Sequence, residues 1–266
     1  MATVGSNPTL SAREKITMKK IVALGGGEIG RPGYPIETTE IDKEIIRLSG
    51  KANPKLLFIP TASDDSESYY EAVKKHFGER LGTSTDVLYL IRERPAKKEI
   101  EGKILRSDII YVGGGNTSRM MRIWRSSGTD QILRQAYEEG KVLSGISAGA
   151  ICWFRWGNSD SRILANPDAD LIRVTGLGLV NALFCPHYDV EKNRKPNLKK
   201  MMQKVSGVAI AVDNCWAIEI LGDKYRIISS KSSANAYKVY WSRGRIFEEI
   251  IKEKKEFEPL INLLKK

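Results

Sequence analysis

Lys141-Val142-Leu143-Ser144-Gly145-Ile146-Ser147-Ala148-Gly149-Ala150 runs from an apolar stretch straight into a serine set between glycines. Such a run, followed by small helix-forming residues, reads as a buried strand that turns sharply into a helix. The turn would hold Ser147 at the carboxyl edge of the strand with its side chain exposed. Glycines on either side allow close backbone approach, and a helix opening at Ala148 aims its first amides at the same place. The segment therefore predicts an α/β sheet with a nucleophile on its rim.

The same alternation recurs upstream. Ile21 to Leu24 is followed by Gly25-Gly26-Gly27, Lys55 to Ile59 by Pro60-Thr61-Ala62-Ser63, Val87 to Leu90 by a charged stretch, and Ile109 to Val112 by Gly113-Gly114-Gly115-Asn116. Segments 38–49, 66–77, 117–123 and 129–139, which lie between these runs, have helical character. The pattern predicts a three-layer α/β fold, with a mostly parallel central sheet covered by helices on both faces and strand ends converging on one ligand-binding rim. Beyond the elbow, short apolar runs at 174–179, 183–185, 207–212, 217–221, 225–228 and 236–241 surround one helix at 195–203. No long crossover helix separates the last of them, which predicts some antiparallel strands toward the C-terminus. Residues 249–266 give no chemical signal.

With 266 residues, 41% of them hydrophobic, the chain can bury a substantial core, and no linker divides it. Residues 18–266 are expected to form a single domain. Residues 1–17 read as a disordered extension or added leader, with Met18 as the natural start. No stretch has the apolar core of a signal peptide or the length to span a membrane. Cys152, Cys185 and Cys215 have no metal-ligand spacing and cannot all pair, which fits a reducing, cytoplasmic setting. The net charge of +11 is scattered, without an aromatic-interleaved basic stripe, so a solvated basic face is expected rather than a nucleic-acid site. Gly25-Gly26-Gly27-Glu28-Ile29-Gly30 invites comparison with a dinucleotide loop, but no acidic ribose contact is secured and no Lys-Ser/Thr pair follows. No metal or organic cofactor is expected.

A serine hydroxyl is a poor nucleophile at neutral pH and needs a base within hydrogen-bond reach, itself held in one tautomer by a partner. The chain has two histidines. His76, in Ala72-Val73-Lys74-Lys75-His76-Phe77, has the helical spacing of an ordinary surface or half-buried residue, whereas His187, in Phe184-Cys185-Pro186-His187-Tyr188-Asp189, follows an apolar run and a stiffening proline. His187 is therefore the expected base. Asp160 lies between nucleophile and base in chain order and is the first candidate to orient the imidazole, with Asp168, Asp170, Asp189 and Glu191 as alternatives. The amide of Gly114 or Gly115, together with that of Ala148, would form an oxyanion hole. Cys152 reads as a packing residue on the helix after the elbow.

Taken together, Ala23-Leu24-Gly25-Gly26-Gly27, Ile110-Tyr111-Val112-Gly113-Gly114-Gly115-Asn116-Thr117, Gly145-Ile146-Ser147-Ala148-Gly149-Ala150 and Pro186-His187 resemble the peptidase E family of serine peptidases, which includes aspartyl dipeptidases and, more distantly, cyanophycinases. The resemblance covers roughly residues 18 to 245. It implies a fold similar to class I glutamine amidotransferase domains, with serine as nucleophile, and places the family serine on Ser147, its histidine on His187, its acid nearest Asp160, and its glycine-loop amide on Gly114 or Gly115. It further implies hydrolysis of dipeptides or short peptides near the N-terminus, with a preference for an acidic first residue. Asn116, Arg119, Arg155 and Arg173 are the candidates to hold such a substrate. The aromatic stretch Ile151-Cys152-Trp153-Phe154-Arg155-Trp156 departs from the family pattern and points to a different acyl-side wall. The partner is then a small peptide, with neither nucleic acid nor membrane, and a homodimer is a family-based expectation. A catalytically inactive small-molecule-binding or regulatory protein on the same fold, and a non-peptide amidase or esterase, are the alternatives.

Overall fold

The structure is a computed structural model that describes residues 17–163, 166–232 and 234–266. The expected leader, apart from Thr17, lies outside these residues. Strands β1 (Lys20–Leu24), β2 (Lys55–Ile59), β3 (Ser84–Val87), β4 (Ile109–Val112) and β5 (Val142–Ile146) pair in parallel in the order β1-β5-β4-β2-β3. Leu24 pairs with Ile146 and Val112 with Gly145. This register brings the Gly25 loop, Ser147 and the Gly113 loop out side by side on one rim.

Because side chains alternate across a strand, each strand feeds two cores. Val22, Leu24, Leu56 and Phe58 pack against Ile41, Ile45 and Leu48 of α1 (Thr39–Leu48) and Tyr69, Ala72 and Val73 of α2 (Glu67–Val73). Ile21, Ala23, Leu57, Ile59, Ile110 and Val112 share the opposite core with Ile100 and Ile104 of α3 (Lys97–Arg106), Met120 and Trp124 of α4 (Thr117–Ser127), and Ile132 and Leu133 of α5 (Thr129–Glu138). The helices on both faces complete the three-layer α/β architecture. A one-turn helix, α6 (Ala148–Ile151), follows β5, and α2 continues as a π-helical segment, Lys74–Arg80, that buries His76 and Phe77.

The second half holds more than the sequence suggested. β6 (Phe154–Ser159), β7 (Ile172–Thr175), β8 (Val180–Cys185), β9 (Ala209–Val212), β12 (Ala236–Ser242) and β13 (Arg245–Ile251) form a separate six-stranded sheet. β10 (Trp216–Leu221), β11 (Lys224–Ser229) and β14 (Glu258–Pro259) instead extend the first sheet in antiparallel fashion from β1. Phe184, Ile210 and Val212 of the second sheet enter the core shared with α4 and α5, while Leu183, Cys185, Ala209 and Ala211 face Leu198 and Met202 of α7 (Arg194–Met202). Strand β3 lies three residues before the expected run. Helix α3, strand β6 and the terminal α8 (Leu260–Leu264) were not anticipated, since α3 and β6 are rich in charged or polar residues and α8 is a single turn. Among the described residues, no helix is long and apolar enough to cross a membrane.

Candidate active site

Ser147 has φ 55° and ψ −113°, a conformation that costs a residue with a Cβ about 1–3 kcal/mol. The surrounding backbone imposes it. Ser147 N–H donates to the Leu24 carbonyl at 3.2 Å, and the Ser147 carbonyl accepts from Ala150 and Ile151 at 3.0 and 2.9 Å. A methyl at Gly149 would overlap the Val112 carbonyl, so this glycine lets α6 sit directly on the sheet edge. The Cys152 thiol donates to the Gly149 carbonyl at 3.0 Å from full burial and packs away from the rim.

The second sheet delivers the imidazole. His187, two residues beyond β8, also adopts a positive φ, 52°, and its N–H donates to the Gly25 carbonyl at 3.0 Å. Its Nε2 lies 2.9 Å from Ser147 Oγ and its Nδ1 2.8 Å from Asn214 Oδ1. An amide oxygen can only accept, so the Nδ1 proton is donated to Asn214 and Nε2 is left to accept the serine proton. Asn214 follows β9, and its own N–H donates to Asp189 Oδ1 at 3.1 Å. A side chain at Gly26 would collide with both Asn214 Oδ1 and the imidazole. The Gly25 to Gly30 stretch thus keeps a dinucleotide-like glycine spacing while its second glycine makes room for the histidine and its partner.

Asp160 is not the group on the imidazole. Its carboxylate lies 3.8 Å from the guanidinium of Arg194, which is 1% exposed and also bonds Glu191 and the Asn158 carbonyl. A buried guanidinium requires such partners, and this one holds β6 and Asp160 on the α7 side. Sequence reasoning does not reach Asn214, the group on the imidazole, because it is neutral and because β9 belongs to a sheet that periodicity does not separate. The available signal was its place, in Asp213-Asn214-Cys215 immediately after an apolar run, as with the other rim loops. Beside it, burial pushes the Asp213 carboxyl up to about 6.

The proposed substrate residues separate in space. Asn116 caps α4, accepting from Arg119 N–H at 2.9 Å and donating to the Ser161 carbonyl at 3.1 Å. Arg119 is paired with Asp64. Arg155 and Arg173 lie on β6 and β7 over the ring of Trp156, at 4.3 and 5.6 Å, and Trp153 and Phe154 are buried in the core, so the aromatic stretch builds no wall at the serine. A pocket of about 350 Å³ beside Ser147 is lined instead by Glu28, Arg31, Glu37, Ser63, Tyr69, Gly114, Gly115, His187 and Asn214. None of its charged residues was singled out from the sequence, since residues 28–37 form an irregular loop. Arg31 is paired with Glu28 and lies 5.5 Å from the Tyr69 ring centroid, while Lys231 meets Glu37 at 2.5 Å. Gly114 and Gly115 line the pocket, and Ala148 opens α6 next to the serine.

His76, expected at or near the surface, is 1% exposed, and its Nε2 lies 2.8 Å from Asp42 Oδ2. Among the described residues, no group of three or more His, Cys, Asp or Glu side chains could hold a metal ion.

Residues 21–228 match the model of peptidase family S51. The chain is 37% identical over 235 residues to the uncharacterized peptidase YgaJ of Bacillus subtilis, covering 87% of this chain and 96% of that protein. It is 32% identical over 166 residues to the uncharacterized peptidase Lmo0363 of Listeria monocytogenes, covering 59% and 73%. A crystal structure of a peptidase from an acI-B1 actinobacterium shares the fold, with a TM-score of 0.70 at 18% identity over 92% of this chain and 98% of that one. With most of its length matched to the family model and a 37% identical relative aligned almost end to end, the chain belongs to peptidase family S51, the peptidase E family.

Proposed function

We propose that the protein is a serine peptidase that hydrolyses dipeptides or short peptides near their N-terminus by acyl transfer to Ser147. The observation that carries this reading is the 2.9 Å contact between His187 Nε2 and Ser147 Oγ at a strained strand-to-helix elbow. In the proposed reaction His187 takes the serine proton as Oγ attacks the amide carbonyl. The tetrahedral oxyanion accepts hydrogen bonds from backbone amides at Gly115 and Ala148, and His187 then gives its proton to the departing amine. Water repeats the sequence on the acyl-enzyme, releasing the acid and restoring Ser147. Asn214 keeps the imidazole in the tautomer that can accept, with the Asp189 carboxylate behind it.

Of the arginines expected to hold an acidic first residue, Arg119 is paired with Asp64 and Arg155 and Arg173 lie on the second sheet; the guanidinium in the pocket is that of Arg31, itself paired with Glu28. A non-catalytic binding protein would have no need to hold His187 against a serine in a strained backbone. The test is hydrolysis of a panel of dipeptides and short peptides with varied first residues, by wild type and Ser147→Ala. Turnover in the wild type and at least about 10⁴-fold less in the variant is expected. Equal turnover by the two proteins, or none by either, would sink the proposal.

A further inference from the structure

We propose that the Tyr69 hydroxyl is a third donor of the oxyanion hole, alongside the Ala148 and Gly115 amides. This rests on the acyl-transfer reading above and adds to it a side chain that neither the glycine loop nor the elbow predicts. Tyr69 projects from α2 into the pocket that holds Ser147 and is 9% exposed, with its ring edge-on to Phe58 at 5.0 Å. The amide that would ordinarily be assigned to the hole, Gly114 N–H, points instead at the Tyr69 oxygen, a long contact of 3.5 Å. Gly114 itself borders the nucleophile, since a Cβ there would lie 3.5 Å from Ser147 Cβ. The Tyr69 oxygen therefore accepts from an amide that borders Ser147, lines the same pocket, and keeps its own proton to donate there.

Two features suit the phenol to donation. Burial pushes its pKa up to about 12, so it stays protonated at any working pH of a histidine base. The Arg31 guanidinium, fixed by Glu28, lies 5.5 Å from the ring centroid and polarises the O–H toward a developing anion. No proton is transferred. The O–H···O⁻ bond shortens as charge develops on the carbonyl oxygen and lengthens when the tetrahedral intermediate collapses, so its contribution falls on the transition state. Tyrosine hydroxyls are among the side chains able to fill such a role.

Tyr69→Phe removes one oxygen and keeps the ring packing. The expected result is a kcat about 10²-fold lower with KM within about threefold, and an unchanged melting temperature. Phosphonylation of Ser147 by a small fluorophosphonate, followed by intact mass, reads the same hole without a peptide. Its second-order rate constant should fall at least about tenfold in the variant. A kcat and labelling rate within about threefold of wild type would overturn the role of Tyr69 and leave Ser147 as nucleophile. A raised KM or a lowered melting temperature with kcat intact would make Tyr69 a packing residue, which also overturns it. Failure of the wild type to label at Ser147 would bring down the acyl-transfer reading and this inference together.

Discussion

The chain has two histidines, and each has a hydrogen-bond partner on both ring nitrogens, yet they are built for opposite ends. His76 is buried with the Asp42 carboxylate on Nε2 at 2.8 Å and the Arg80 guanidinium 3.3 Å from Nδ1. Thr38 donates to the same Asp42 oxygen at 2.7 Å, and desolvation holds the carboxyl above its ordinary range. His187 lies at a pocket wall with a neutral amide on one nitrogen and a serine hydroxyl on the other. The histidine with the carboxylate has no serine beside it, and the one with the serine has no carboxylate in direct contact. A carboxylate partner therefore does not single out the histidine proposed as the base. What distinguishes His187 is an acceptor nitrogen aimed at a hydroxyl in a cavity open to a ligand.

Exchanging the losses is the strongest way to break this contrast. His187→Ala should lower kcat about 10⁴-fold with little change in unfolding free energy. His76→Gln should do the reverse, costing about 3 kcal/mol in denaturant unfolding because it strands Asp42, while kcat stays within a few-fold. Loss of activity in His76→Gln at a temperature where it remains folded would show the two sites to be coupled.

A smaller effect tests the amide. Asn214→Asp places a carboxylate against His187 Nδ1, which favours the imidazolium, so the neutral base is reached only at higher pH. The acidic limb of the kcat/KM profile should move up by about one pH unit. An unmoved limb would place the titration on another group.

The smallest effect concerns the residue before it. Asp213 has a folded pKa of about 6, above its unfolded value, because burial disfavours its charge. Its stabilising contribution is thus complete below about pH 4 and is lost as pH rises through 6. Asp213→Asn should flatten the melting-temperature profile in that interval by about 2–4 °C. An identical slope in both proteins would rule Asp213 out as its source.

How far these features could be read in advance depended on the kind of signal each left. The parallel strands β1, β2, β4 and β5 are continuous apolar runs that end in glycine or small residues, and their burial on both faces writes that pattern directly. The elbow is local as well, since Gly145, Ser147 and Gly149 lie within five residues. Asn214 leaves only the faint mark of its place after an apolar run and Tyr69 none, because each reaches the pocket of Ser147 only through the pairing of strands and helices far apart in sequence. The split into two sheets is equally hidden, as β9 and β10 follow each other closely and yet diverge into different sheets. Arg194 shows why chain order misled for Asp160, a carboxylate placed correctly in sequence but held 3.8 Å from a buried cation that no periodicity reveals.

Ser147 stands on the first sheet, while His187 and Asn214, the residues proposed to act on it, come from the ends of two strands of the second. A chain emerging from the ribosome at roughly 5–20 residues per second exposes Ser147 seconds before His187 and Asn214. During that interval the serine has no imidazole beside it. Because the site is divided between two sheets, neither sheet folded alone brings the serine and the imidazole together.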